Sequence, residues 1–227
     1  LKPYGLWFPV DVSTSSRATI GGMTGNNSCG ARSIVYGTMR DNVRAIDAIL
    51  TDSSEMVFGE VSDNAQLAML TPEQTHLVSG LLDLGRREAA GIKSGFPDLM
   101  RRVGGYNVDA LLASGPQRGF WADDTVIQSQ TYPNLAHLLV GSEGTLAFSS
   151  RIHLDLKPLP ENKHLGICHF PTFYSAMDAT QHIVKLGPTA VELVDRTMIE
   201  LARDIPIFDP TVNNFVKGEP QALLLVE

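Results

Sequence analysis

A glycine-rich stretch near the start of the chain limits most strongly what the chain can fold into. Residues 19–30 read Thr-Ile-Gly-Gly-Met-Thr-Gly-Asn-Asn-Ser-Cys-Gly, with four glycines and two asparagines in twelve positions. Both residue types favour left-handed and turn conformations, so we predict an irregular loop here and not a regular helix. Backbone that lacks Cβ atoms can approach a ligand closely, and successive N–H groups can bind an anion such as pyrophosphate. A turn-rich surface loop without a ligand explains the same composition.

The glycine pattern matches neither of two common nucleotide-binding motifs. It lacks the Gly-x-Gly-x-x-Gly spacing of the Rossmann fingerprint, and the chain has no Gly-Lys-Ser or Gly-Lys-Thr of a Walker loop. A second glycine loop, Gly-Ser-Glu-Gly-Thr at 141–145, lies between two apolar runs, as in many hairpins. Within it, Glu143 is either a general base or a solvated loop carboxylate.

Composition and charge exclude several classes of protein. The chain has 227 residues, of which 43% are hydrophobic and 19% charged, as in ordinary globular proteins. Its net charge is −7 and its 18 Lys and Arg residues are scattered, so nucleic acid is not an expected partner. Cys29 and Cys168 lie far apart, and no two of the six histidines have i, i+4 spacing, so no metal site is predicted. No apolar run reaches the roughly 18 residues of a membrane span, and we predict a cytoplasmic protein.

Hydrophobic periodicity predicts strands and helices in the first part of the chain. The expected elements are strands at 45–50 and 55–58, a helix from Thr71 to about Gly91, and strands at 135–140 and 146–156. The helix has a strong start signal, because Thr71 can cap it and Gln74 stands where a capping box needs it. Residues 91–134 are polar and without periodicity, so we expect them to be mobile or partly disordered.

The pattern changes after Pro158-Leu-Pro160, which is typical of a linker. Strands and helices then alternate: a strand at 165–170, a helix capped by Thr172, a strand at 190–194, a helix capped by Asp195 and a strand at 222–226. We therefore predict an α+β chain with two domains, at 1–157 and 158–227.

Six segments, in order along the chain, resemble the FAD-linked oxidases of the vanillyl-alcohol-oxidase type. They are Leu-Trp-Phe-Pro-Val-Asp-Val-Ser at 6–13, Ala-Thr-Ile-Gly-Gly-Met at 18–23, Asn-Asn-Ser-Cys-Gly at 26–30 with Tyr-Gly at 36–37, Thr-Met-Arg-Asp-Asn-Val at 38–43, Gly-Tyr-Asn-Val at 105–108, and Val-Gly-Ser-Glu-Gly-Thr-Leu at 140–146. The chain departs from the family at Val103-Gly104, where polar residues are more frequent.

The resemblance implies a fold, a cofactor and a set of binding residues. It implies the second subdomain of a PCMH-type FAD-binding domain, followed by the start of a ferredoxin-like α+β substrate domain. FAD would be held largely by backbone groups, with Ile152 near the adenine. The implied cofactor-binding residues are Pro9, Thr19, Gly21, Gly22, Asn26, Ser28, Gly30, Tyr36, Gly37, Gly141, Glu143, Gly144, Thr145 and Ile152.

The activity implied by the resemblance is that of an FAD-dependent dehydrogenase of D-lactate, glycolate or 2-hydroxyglutarate type. A small 2-hydroxy acid would give a hydride to the flavin, and an electron acceptor would follow. The family's first FAD subdomain would precede Leu1, and its catalytic histidines, with iron–sulfur domains in some members, would follow Glu227. We therefore expect a fragment that alone holds little FAD and contains no assignable catalytic residue. Membrane association could arise through the full-length protein. The alternatives are a fragment that no longer binds FAD and an alcohol oxidase on the same scaffold.

Overall fold

The computed structural model of the chain describes residues 1–61, 69–97, 99, 101–113 and 132–227, together with the backbone of 117–118 and 126–128. It divides into two compact units, Leu1–Leu159 and Pro160–Glu227, close to the predicted boundary at 157/158. Both units combine helices and strands, which confirms the α+β class. Among the described residues, no helix is both long and apolar enough to cross a membrane.

The described elements of the first unit are, in chain order, β1 (Leu6–Trp7), α1 (Ile20–Gly25), α2 (Ser33–Tyr36), α3 (Met39–Asn42), β2 (Val43–Ile49), β3 (Glu55–Phe58), α4 (Pro72–Arg87), α5 (Ala89–Gly95), β4 (Gln117–Arg118), β5 (Val126–Gln128), α6 (Ala136–Leu139), β6 (Phe148–Leu154) and β7 (Lys157–Pro158). Strand β2 lies between β3 and β6, and both pairs are antiparallel. The predicted hairpin of β2 and β3 is confirmed. Strand β1 pairs with β7 in a separate two-stranded sheet.

One face of the three-stranded sheet carries the main hydrophobic core. Ile46 of β2 is fully buried and stands opposite Phe58 of β3 and Ile152 of β6. Burying side chains of this size from both edge strands provides the main driving force for folding of this unit.

Helix α4 begins as predicted. The hydroxyl of Thr71 accepts a hydrogen bond from Gln74 N at 3.2 Å, and the Gln74 amide oxygen accepts one from Thr71 N at 3.0 Å. Near its end, Gly85 lets a 3₁₀ turn, Val108–Leu111, pack directly on the helix, since a Cβ at Gly85 would lie 2.7 Å from Leu111 Cβ.

The expectation that 91–134 is mobile or partly disordered stays a prediction, but some described residues of the segment form regular structure. Helix α5 continues to Gly95, and the turn at Val108–Leu111 buries Ala110 and Leu111 in contact with other elements. The remainder of that prediction falls on positions 98, 100, 114–116, 119–125 and 129–131, which lie outside the described residues.

The strand predicted at 135–140 is wrong: this run forms the short helix α6. Asn134 Oδ1 accepts a hydrogen bond from Ala136 N at 2.9 Å, which satisfies a donor of the first turn. All the residues from Leu135 to Val140 are buried. A short apolar run that is buried on every side fits a helix as well as a strand, so periodicity could not separate the two.

The second unit contains β8 (Gly166–Phe170), α7 (Phe173–Ile183), β9 (Val191–Asp195), α8 (Arg196–Asp204), α9 (Asp209–Phe215) and β10 (Ala222–Val226). Strand β10 lies between β8 and β9 and is antiparallel to both. Leu224 of β10 packs with Ala176 of α7, while Leu223 packs with Ile199 of α8. This split β-α-β arrangement is the expected start of a ferredoxin-like domain.

Candidate functional site

The glycine-rich segment begins with a helix, contrary to the predicted loop. Thr19 caps helix α1, because its Oγ1 accepts a hydrogen bond from Gly22 N at 3.1 Å. Met23 and Thr24 are buried on the inner side of this helix. Capping and burial outweigh the low helix propensity of three glycines over only six residues.

The two glycine motifs meet in space, as the resemblance requires. Gly141 N donates a hydrogen bond to Thr24 O at 2.9 Å, and Glu143 N donates one to Gly25 O at 2.9 Å. The end of α1 is therefore joined to the 141–145 loop by backbone hydrogen bonds across more than a hundred residues of sequence. Two unrelated hairpin turns would not show this pairing.

The conformation of the 141–145 loop depends on positive φ angles. Gly141 and Gly144 have φ of 82° and 76°, and Glu143 has φ of 51°. A left-handed conformation costs a residue with a Cβ about 1 kcal/mol, and the hydrogen bond from Glu143 N to Gly25 O helps to hold it. The Glu143 side chain is exposed, and no hydrogen bond to its carboxylate is present among the described residues. Its observed structural role belongs to its backbone.

An exposed surface lies over this junction. We call it the glycine surface and define it as Gly21, Gly22, Gly105, Gly144 and Thr145. At Gly21, Gly105 and Gly144, an added Cβ would meet no atom within 4 Å. Positive φ explains Gly105 and Gly144. Nothing in the described chain requires glycine at Gly21, although glycine costs about 1 kcal/mol relative to alanine inside a helix. The open space above Gly21, like that above Gly80 and Gly91, leaves the backbone accessible to another molecule.

A buried polar network holds the junction from beneath. Asn27 is 1% exposed and has a φ of 52°. Its Oδ1 accepts a hydrogen bond from Arg40 N at 2.9 Å, and its Nδ2 donates to Arg102 O at 3.4 Å. Asn107, also 1% exposed, donates from Nδ2 to Val140 O at 2.8 Å. These two amides connect α1, α3, the 102–107 segment and the residue before Gly141.

Charged groups complete the network. Asp109 receives a hydrogen bond from Arg40 at 2.7 Å and one from Arg102 at 2.6 Å. Burial raises the pKa of Asp109, but the two guanidinium groups outweigh burial and bring the pKa below its ordinary value. The carboxylate therefore stays ionised and bridges two arginines that come from different segments.

His137 of α6 is buried beside this network. Its Nε2 lies 3.0 Å from Val43 O, so Nε2 carries the proton and donates it to that carbonyl. Burial and the nearby Arg40 lower the pKa of His137 to about 4, against weaker opposing effects of Val43 and two aspartates. The imidazole is therefore neutral at physiological pH and acts as a structural donor.

Gly30 and Gly37, both expected to bind the cofactor, have reasons for glycine within the chain itself. A Cβ at Gly30 would lie 1.3 Å from the Asp11 carbonyl oxygen. Gly37 is buried with φ of 72°, and a Cβ there would lie 2.4 Å from Asp41 Oδ2. Asp41 in turn accepts a hydrogen bond from Thr38 N at 2.7 Å, as the third helical residue of the capping box that begins α3. Close packing explains these two glycines without a ligand.

The remaining expected site residues have varied positions. Pro9 is fully buried, so any contact of this residue with the cofactor would involve its backbone. Asn26 is exposed, with its Oδ1 accepting a hydrogen bond from Ser28 Oγ at 2.6 Å. Tyr36 packs edge-on against Trp7, with ring centroids 5.6 Å apart. Ile152 lies within β6, in the sheet and not in either glycine loop.

The residues that sequence reasoning missed are those of the buried network and Tyr106. The motif at 105–108 contains both Tyr106 and Asn107, and the motif at 38–43 contains Arg40. Motif matching therefore found these segments, but it gave no role to their side chains.

Comparison with known proteins finds relatives along both units. An FAD binding domain profile matches residues 1–59, and a profile of the C-terminal domain of FAD linked oxidases matches residues 159–227. Solved structures of alkyldihydroxyacetonephosphate synthase resemble the fold, with a TM-score of 0.57 and 15% identity over 99% of this chain and 31% of that chain. The FAD binding domain match supports FAD as the cofactor.

Curated relatives are dehydrogenases of hydroxy acids. The D-2-hydroxyglutarate dehydrogenase of Pantoea ananatis is 33% identical over 90% of this chain and 19% of its own length. That of Haemophilus influenzae is 30% identical over 99% of this chain and 21% of its length. A probable mitochondrial D-lactate dehydrogenase of Danio rerio is 28% identical over 88% of this chain and 28% of its length. The chain thus spans about a fifth of the length of the D-2-hydroxyglutarate dehydrogenases it matches.

The two profile matches correspond in order to the two structural units, and the relatives align along most of the chain. The resemblance predicted from the six motifs is confirmed, because the two units match an FAD binding domain profile and an FAD linked oxidase profile, and the relatives include D-2-hydroxyglutarate and D-lactate dehydrogenases.

Proposed function

We propose that this chain is part of an FAD-dependent dehydrogenase that oxidises a small 2-hydroxy acid of D-lactate, glycolate or 2-hydroxyglutarate type. The observation that carries the proposal is the backbone pairing of α1 with the 141–145 loop, which unites the two glycine motifs under one exposed surface. The hydroxy acids named for the curated relatives support the substrate class.

When bound, FAD would accept the hydride from the 2-carbon of the substrate. The residues of this chain would bind and orient the cofactor. Gly21 and Gly22 would allow close approach along α1, while Gly144 and Thr145 would contact it from the facing loop. The network of Asn27, Arg40, Asn107, Arg102 and Asp109 would keep these two segments at a fixed separation before the cofactor arrives. Such preorganisation improves affinity by reducing the ordering cost of binding.

Other parts of the proposal come from the resemblance. The base that removes the substrate proton, the groups that bind the substrate carboxylate and the site of the electron acceptor are not assigned to this chain. A cytoplasmic location, with membrane association through the full-length protein, stays a prediction.

The test is a pair of glycine variants in the full-length protein. Gly21 in α1 and Gly80 in α4 are both exposed helical glycines with no atom within 4 Å of an added Cβ. Because their surroundings within the chain are alike, Gly21→Val and Gly80→Val should change stability similarly. Only Gly21→Val should reduce the flavin content of the purified protein, since its side chain would occupy the path of the cofactor.

Equal flavin content in the two variants would contradict the proposed site. For the substrate class, D-2-hydroxyglutarate or D-lactate should bleach the flavin absorbance of the wild-type protein under anaerobic conditions. A simple aromatic alcohol should not. The reverse result would favour an alcohol oxidase on the same scaffold.

A further inference from the structure

Tyr106 lies at the edge of the glycine surface and is not among the residues expected from the sequence to bind the cofactor. Its ring is 47% exposed, and its hydroxyl oxygen lies 2.8 Å from Thr145 Oγ1. Gly104 and Gly105 precede it, and neither would place an added Cβ within 4 Å of another atom. The half-exposed phenol therefore reaches the 141–145 loop from a segment with open space at both preceding glycines.

The direction of the hydrogen bond between Tyr106 and Thr145 follows from a second hydrogen bond, which Thr145 makes with Ser142. Thr145 Oγ1 lies 2.5 Å from Ser142 O, and a carbonyl oxygen can only accept. Thr145 therefore donates its single hydroxyl proton to Ser142 O. It follows that Tyr106 donates its proton to Thr145 Oγ1, and that the two hydroxyls form a chain of donors directed into the loop.

This order of donors determines what Tyr106 offers to a ligand. With its proton committed to Thr145, the phenol oxygen presents only lone pairs outward. A hydrogen-bond acceptor suits the donor groups of the cofactor, which are the imide N–H of the flavin ring, the hydroxyls of the ribityl chain and of the ribose, and the amino group of adenine. It does not suit a pyrophosphate, which only accepts and carries negative charge.

We propose that Tyr106 is a positioning residue of the glycine surface. It holds the Thr145 hydroxyl in one orientation and accepts a hydrogen bond from an N–H or O–H group of the cofactor, and it does not contact the pyrophosphate. This inference rests on the proposed FAD site and adds one directed contact to it.

The test uses full-length apoprotein titrated with FAD, with flavin fluorescence as the readout. Tyr106→Phe removes one hydroxyl and should weaken FAD binding about three- to tenfold, the value of one neutral hydrogen bond. Tyr4→Phe is the matched control, because Tyr4 is an 81% exposed tyrosine of the same unit, and it should leave FAD affinity unchanged. The melting temperature of both variants should stay close to that of the wild type, since each loses only an exposed hydroxyl.

Thr145 variants test whether the two hydroxyls act as one unit. Thr145→Val should weaken FAD binding by a similar factor, and Thr145→Ser, which keeps the hydroxyl, should restore it. The double variant Tyr106→Phe with Thr145→Val should be no weaker than either single variant. Multiplied effects in the double variant would overturn the donor chain.

Competition by inorganic pyrophosphate tests the exclusion of the pyrophosphate. Pyrophosphate binds through acceptor oxygens, so Tyr106→Phe should leave its dissociation constant unchanged, once the competition with FAD is corrected for the weaker FAD affinity of the variant. Weaker binding of pyrophosphate to the variant would place Tyr106 at the pyrophosphate and overturn the inference, as would an unchanged affinity for FAD. If the wild-type protein itself bound no FAD, the proposed function would fail instead.

Discussion

Acidification should destabilise the first unit through His137. In the folded chain the pKa of His137 is lowered to about 4 by burial and Arg40, whereas the ordinary value is 6.5. Below pH 6.5 the unfolded chain binds a proton that the folded chain does not bind. The stabilisation from a neutral His137 is therefore complete above pH 6.5 and is lost as the pH falls toward 4.

The magnitude follows from these two values. Each pH unit across which only the unfolded state is protonated costs about 1.4 kcal/mol. Between pH 6.5 and 4 the free energy of unfolding should therefore fall by about 3 kcal/mol, a large fraction of the stability of a domain of this size. Asp109 and Asp155 have pKa values below the ordinary value for aspartate, so their contributions are lost only at lower pH.

The assay is urea unfolding at a series of pH values, followed by tryptophan fluorescence. Both tryptophans, at positions 7 and 121, belong to the first 159 residues of the sequence, so this signal reports on the first unit. His137→Gln provides the comparison, because the glutamine amide can donate to Val43 O without titrating. Its stability should be lower than that of the wild type at pH 7 and should depend less on pH between 6.5 and 4. Parallel pH profiles for the two proteins would refute the assignment of a neutral buried imidazole.

Two further predictions concern backbone packing and helix capping. Gly30→Ala should lower the free energy of unfolding by about 2 kcal/mol or more, because its Cβ would collide with the Asp11 carbonyl. The control is Gly91→Ala, at an exposed helical glycine with open space, which should not lower the free energy of unfolding. Equal urea midpoints for the two variants would contradict the packing argument. Asp195→Ala should cost the second unit about 1 kcal/mol, because Asp195 Oδ1 accepts the hydrogen bond from Met198 N at 2.8 Å that caps α8. Amide exchange should then accelerate in Arg196–Asp204 and not in α7, and uniform exchange across both helices would show that the cap has no local role.

Local signals predicted the elements that depend on local interactions. The capping box of Thr71 and Gln74, the cap at Asp195 and the hairpin of β2 and β3 are all formed as expected. Each rests on residues within a few positions of one another. Such interactions form wherever the rest of the fold leaves the segment free, so sequence patterns suffice to identify them.

The errors occurred where tertiary contacts decide the conformation. Helix α1 forms although its composition favours turns, because Thr19 caps it and its own residue Met23 is buried in the core. The apolar run of α6 is buried on all sides, so its hydrophobic pattern could not distinguish a helix from a strand. The hydrogen bond from Asn27 to Arg102 joins residues 75 positions apart, so no local sequence pattern predicts it. The motifs predicted which segments meet, whereas the side chains that hold these segments together could be identified only from the structure.

The buried network also explains why polar residues occupy the space beneath the glycine surface. An apolar cluster could fill this space with equal or greater stability, since buried ion pairs contribute little net free energy. Apolar side chains, however, would leave α1 and the 141–145 loop joined only by the two backbone hydrogen bonds from Gly141 N and Glu143 N. The amides of Asn27 and Asn107 have directed hydrogen bonds to particular backbone atoms, and Asp109 binds both Arg40 and Arg102. These contacts permit one separation of the two backbones. Because a cofactor bound through backbone groups requires that separation to be correct within a fraction of an ångström, directional polar contacts are the appropriate support.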